Sequence, residues 1–195
     1  EGFYLQEADG TVWHTAKSGS TATPFFLTTD AAEGTWDLWF PGQSGCYYTN
    51  VNTTKKLWTA LWMPTLNVSG IDGGITMEYK RDKNQWQGIF TATGAGTINI
   101  QMNGTGKLYD NTSVSGADNS IDDTKAKDTP FAFNGSANEL TFNTGTNVSA
   151  GNITVNVPAA GECTLIIDLN DPQAWKVEVT EGGSIEPTYP SYLEM

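Results

Sequence analysis

The chain has 195 residues, and its 22 Asp and Glu against 10 Lys and Arg give a net charge of −12. With one arginine, Arg81, and few lysines it lacks the material for a phosphate-binding stripe, which argues against nucleic acid and against an anionic membrane surface as partners. A single histidine, His14, excludes a His-rich metal site, and 38% hydrophobic residues are too many for a disordered chain.

In chain order, strand-length runs separated by Gly, Asn, Asp and Pro predict strands at 2–6, 12–16, 24–28, 35–40, 46–50, 56–63, 74–80, 86–91, 96–102, 107–109, 139–142, 152–157, 162–169 and 175–180. No window carries helical periodicity, and no run of 18 apolar residues could cross a membrane as a helix. Many short strands at even spacing predict a β-sandwich or barrel. Alternation is cleanest at 163–169, where Cys163, Leu165, Ile167 and Leu169 share one face. The stretch 112–137 reads as an insertion, and the Pro-containing end as a tail. The start at Glu1, with no charged-then-apolar leader, fits a mature or trimmed fragment of an exported protein. Cys46 and Cys163 read as two buried thiols within strands, with a disulfide as the alternative.

An internal echo organises the chain. Trp36-Asp37-Leu38-Trp39-Phe40, a Gly-rich turn, Cys46-Tyr47-Tyr48 and Lys56-Leu57-Trp58 are followed, 50 or 51 residues on, by Trp86-Gln87-Gly88-Ile89-Phe90, a Gly-rich turn, Thr97-Ile98-Asn99 and Lys107-Leu108-Tyr109. Read as a duplication, this gives tandem immunoglobulin-like or carbohydrate-binding-module-like antiparallel β-sandwiches at 1–73 and 74–182, with a tail at 183–195 and a junction at the glycines 70, 73 and 74.

The closing block carries a resemblance. Val157-Pro158-Ala159-Ala160-Gly161-Glu162-Cys163-Thr164-Leu165-Ile166-Ile167-Asp168-Leu169-Asn170-Asp171-Pro172, ending in Trp175-Lys176-Val177-Glu178-Val179, resembles the last two strands of SusE/SusF-type domains. The likeness extends over most of 76–180 and more weakly over 1–75. It implies repeated β-sandwich modules of outer-membrane surface lipoproteins that capture starch or related glycans without cleaving them. It also implies a lipid anchor outside this chain and an outer-membrane glycan transporter complex as partner.

Seven Trp and seven Tyr are the strongest functional signal, because aromatic faces stack on the C–H faces of sugar rings. Trp36/Phe40, Trp86/Phe90 and Trp175 read as core. In the run 56–63, Leu57, Leu61 and Met63 fall on one face and Lys56, Trp58, Ala60 and Trp62 on the other. With the first face given to the core, Trp58 and Trp62 are left about 13 Å apart as a stacking strip, and Lys56 as a donor to sugar hydroxyls. A partner sheet or domain is the other way to cover them. Trp39, Tyr48, Tyr109 and Lys107 are further candidates, with Asp110 and Asn111 as polar neighbours.

Asp118-Asn119-Ser120-Ile121-Asp122-Asp123 offers oxygen ligands but lacks the spacing of a calcium loop, so no cofactor is expected. Catalysis has little support. The acids sit mainly in turns, Glu78 and Asp168 in strands are unpaired by any motif, and G-x-S-x-G is absent. The sequence thus predicts a carbohydrate-binding surface protein and not an enzyme. A structural or adhesive module of a surface assembly, such as a fimbrial subunit, is the alternative; it would need a donor strand or an edge awaiting one, and the Pro-containing tail is its only candidate.

Overall fold

The computed structural model describes residues 4–16, 26–29, 44–113 and 122–183. Its strands, in chain order, are β1 (Tyr4–Gln6), β2 (Val12–Ala16), β3 (Phe26–Thr28), β4 (Cys46–Asn52), β5 (Leu57–Met63), β6 (Leu66–Ser69) and β7 (Ile75–Lys80). There follow β8 (Gln85–Ala92), β9 (Gly96–Asp110), β10 (Lys127–Ser136), β11 (Glu139–Thr144), β12 (Ile153–Val157), β13 (Gly161–Asp168) and β14 (Lys176–Glu181). One 3-10 turn, Asp123–Lys125, precedes β10, and the protein is an all-β fold of antiparallel sandwich type. The predicted strand at 35–40, with Trp36, Trp39 and Phe40, and the tail from 184 lie outside the described residues.

The chain forms two compact units, Glu1–Met63 with Lys107–Asp128, and Pro64–Gly106 with Thr129–Met195. In the first, β1, β2 and β3 form one antiparallel sheet. A second layer places β5 between β4 and the end of β9, with Tyr47 opposite Trp62 and Trp62 opposite Lys107. The flanking strands pair the edges of β5, and a strand with packing on both faces of its sheet buries both sets of side chains. Accordingly Trp58 and Ala60 are buried on one face of β5, and Leu61 and Met63 on the other.

In the second unit β7 changes partner midway. Ile75, Thr76 and Met77 pair with β6, whereas Glu78, Tyr79 and Lys80 pair with β8. This corner links β7-β8-β13-β14 to the layer of β11, β10, β9, β6 and β12. The core between them holds Trp86, Phe90, Ile100, Met102, Phe131, Phe133, Val155, Leu165 and Ile167. The expected inward face of 163–169 is the observed one: Cys163, Leu165, Ile167 and Leu169 are all buried. Trp86 and Phe90 are also core, and Trp175 packs edge-on against Phe133 and Phe142, with ring centroids 6.2 and 6.4 Å away. Cys46 and Cys163 are buried in β4 and β13 and form no disulfide.

Four expectations are corrected. The runs at 96–102 and 107–109 are one strand, because Gly104 continues β9 rather than breaking it. A Cβ there would lie 2.6 Å from the Thr65 carbonyl oxygen and 2.5 Å from the Phe131 ring, so glycine permits that close approach. Residues 66–69, not among the predicted strands, form β6. The presumed insertion contains β10, whose Phe131, Ala132 and Phe133 are fully buried. Finally, the glycines taken for a junction form the turn of the β6–β7 hairpin, within the second unit. Gly70 has φ +88°, and the Asn99 carbonyl oxygen stands where its Cβ would be.

Candidate functional site

The echoed blocks meet in one place. Lys107-Leu108-Tyr109 lies beside β5 in the first unit, so the residues matched to Lys56-Leu57-Trp58 are neighbours in one sheet and not equivalents in two modules. Trp58, Ala60 and Tyr109 form a buried cluster, with Trp13, Tyr47, Val51, Trp62 and Ala126 packed against it.

This geometry corrects the two-Trp strip. Trp58 is 1% exposed, covered on the face where it was expected to meet solvent, and Trp13 of β2 is among the side chains against it. Tyr109, also 1% exposed, is core for the same reason. Lys56 precedes β5 in the tight turn after β4, at φ +56°, where its N–H donates to the Thr53 carbonyl at 3.3 Å. It is exposed and does not share a strand face with Trp62. Tyr48 pairs with Leu61 and so lies on the face of β4–β5 opposite Trp62. Trp39 lies outside the described residues.

Trp62 and Lys107 remain, and the sheet register adds Tyr47 in place of Tyr48. Tyr47, Trp62 and Lys107 occupy directly opposed positions on β4, β5 and β9. Directly opposed side chains point to the same face of a sheet, so the three form a row about 10 Å across. Trp62 and Tyr47 are half-buried. The indole edge of Trp62 is held by Gly45, where a Cβ would come 2.8 Å from Nε1. Gly45 has φ +147°, so its replacement would strain the backbone as well as crowd the indole. That Nε1 has no hydrogen-bond acceptor among the described residues. At the other end of the row the Lys107 side chain is 43% exposed and its Nζ pairs with Asp128 at 2.6 Å.

Carboxylates surround the row and are largely committed to structure. The Tyr109 hydroxyl donates to Asp123 Oδ1 at 2.7 Å. Burial, that hydrogen bond, and the charges of Asp123 and Tyr47 push the Tyr109 hydroxyl well above the ordinary tyrosine range. Burial and the Asp123 charge raise Tyr47 as well, so both tyrosines stay neutral donors at physiological pH. Asp110, a polar neighbour of the candidates in the sequence, closes a turn, accepting from Thr112 N and Oγ1 at 2.8 and 2.6 Å. Burial raises its pKa, but those bonds, Lys127 and Ser113 outweigh it and hold the carboxyl low. Asp122 accepts from Thr124 N and Oγ1 at 3.0 and 2.6 Å. Among the described residues, no three His, Cys, Asp or Glu side chains are grouped as metal ligands. In the second unit Glu78 pairs with Lys80, while Asp168 accepts from Asn170 and Gln85.

The profile of a family described as Domain of unknown function (DUF5114) matches residues 67–183, and that of a family described as Domain of unknown function (DUF5111) matches residues 1–63. No curated protein and no solved structure matches the chain.

Proposed function

The chain belongs to the DUF5114 family, whose description names no activity, and we propose from its own geometry that it binds a polysaccharide or oligosaccharide without cleaving it. The observation that carries the reading is the Tyr47–Trp62–Lys107 row. A partly exposed indole offers a face for the C–H side of a sugar ring, while the tyrosine hydroxyl and the lysine ammonium on either side can hydrogen-bond to its hydroxyls. A row about 10 Å across fits two or so sugar units. The absence of catalysis in the proposal is supported by the engaged carboxylates: Asp110 and Asp122 hold turns, Asp123 receives Tyr109, and Asp128 faces Lys107. Glycoside hydrolysis needs two carboxyl groups flanking the scissile bond, about 5–9 Å apart, one kept protonated.

The resemblance of the closing block to SusE/SusF-type domains supports the setting we propose. The protein would act at the bacterial cell surface, held at the outer membrane by a lipid anchor outside this chain, and feed a glycan transporter complex. Affinity electrophoresis against a polysaccharide panel, followed by a reducing-end assay on the retained polymer, tests the reading. Retardation by at least one neutral or acidic glycan, with no reducing ends released, is expected. Absence of retardation across the panel, or sustained release abolished by a single Asp or Glu substitution, would contradict it.

A further inference from the structure

We propose a second ligand site, in the second unit: an open groove of about 420 Å³ beside β12 and β14 that takes one or two rings of a neutral oligosaccharide. The inference rests on the same glycan-binding reading but uses none of the residues of the Tyr47–Trp62–Lys107 row.

Strand alternation builds the groove. Val155 of β12 and Val177 of β14 turn inward into the core, and the partly exposed Ala137 and Val179 give the groove its apolar surface. Exposed Thr97, Asn138, Asn156 and Glu178 form a polar rim. The amides of Asn138 and Asn156 make no hydrogen bond to described residues, so each retains two donors and an acceptor. Pyranose rings match such a lining: a C–H face lies on Ala137 and Val179 while vicinal hydroxyls reach the amides and the carboxylate. The volume lies at the lower end of the range for small-molecule sites.

Two observations narrow the ligand. β12 pairs only with β9, and β14 only with β13, among the described strands, which would suit an added peptide strand. However, β12 and β14 approach within 8 Å between Cα atoms, whereas a strand inserted between them needs about 4.8 Å on each side. A ring lying over the gap fits where a strand does not. Secondly, Glu178 is the one charged side chain of the lining, and no cation is present to receive a uronate, sulfate or phosphate. Neutral sugars are therefore favoured over anionic ones.

Titration calorimetry on the full chain tests the site, with maltohexaose, cellohexaose and xylohexaose as neutral probes and trigalacturonate as the anionic one. At least one neutral probe is expected to bind twice per chain, and once in Trp62→Ala. In that background, Asn138→Ala with Asn156→Ala should weaken the remaining event about tenfold to a hundredfold, as expected for two lost hydrogen bonds. Both asparagines are exposed, so thermal melting should be unchanged. Trigalacturonate should bind this groove at least tenfold more weakly than the neutral probe, and Glu178→Gln should narrow the gap. Unchanged affinity in the double asparagine variant, or loss of all binding in Trp62→Ala, would overturn the groove and leave the row intact. Binding that survives Trp62→Ala but not the asparagine changes would remove the row and keep the groove. No heat with any neutral probe overturns both.

Discussion

β5 and β12 are both short strands, and they are buried in different ways. β12 alternates: Ile153, Val155 and Val157 are buried, while Thr154 and Asn156 are exposed. β5 does not, for Trp58 and Ala60 are buried on one face and Leu61 and Met63 on the other. The difference lies in their neighbours. The Trp58 face of β5 is covered by Trp13 and the side chains around Tyr109, whereas the Thr154 and Asn156 face of β12 meets solvent. A period of two identifies two faces. It identifies the solvent face only when one of them is polar.

The comparison can be broken by substitution. Trp58→Ala should have the largest effect, about 3–5 kcal/mol of stability lost in denaturant unfolding, as for a truncated core aromatic. A loss below 1 kcal/mol would mean that this face of β5 is not core. Ala60→Leu should cost about 1–3 kcal/mol, because the cluster around Trp58 and Tyr109 has no room for three more carbons.

Tyr109→Phe sharpens the picture further. Removing the hydroxyl that donates to Asp123 should cost about 1 kcal/mol near neutral pH. The hydroxyl titrates higher in the folded chain than in the unfolded one, so its contribution is complete below about pH 10 and lost as pH rises further. Melting temperatures of the native protein should therefore fall more steeply above pH 10 than those of Tyr109→Phe, and parallel curves would contradict the assignment. At the small end, Thr154→Val on the exposed side of β12 should change stability by no more than about 0.5 kcal/mol.

Much of the fold was legible because local pattern and tertiary environment agreed. The alternation from Cys163 to Leu169 met a real core, and the Trp86/Phe90 face did the same. β9 reads as two strands in the sequence because Gly104 and Gly106 interrupt its apolar pattern, when the constraint at Gly104 is the tertiary approach of Thr65 and Phe131. β10 was hidden in a polar stretch whose apolar segment is just Phe131-Ala132-Phe133. Of the candidates, Trp62 and Lys107 fall in the proposed row, Tyr48 faces the other way, and Trp58, Tyr109 and Lys56 have other surroundings than their spacing suggests. Their spacing along the strand was visible in the sequence. The row that unites Tyr47, Trp62 and Lys107 runs across three strands from distant parts of the chain, and only the register reveals it. The echo between Lys56-Leu57-Trp58 and Lys107-Leu108-Tyr109 was one available signal, since both contribute to the same three-stranded layer.

The most direct measurement pairs glycan affinity with thermal melting for Trp62→Ala, Lys107→Ala and Trp58→Ala, using the glycan that retards the native chain most. If the row stacks on sugar, Trp62→Ala loses about tenfold to a hundredfold in affinity at its site while remaining folded. Lys107→Ala should lose less affinity and melt almost as the native chain does, since its ion pair with Asp128 is exposed. Trp58→Ala should lose stability first. Native affinity in folded Trp62→Ala and Lys107→Ala would contradict the assignment of glycan binding to this row.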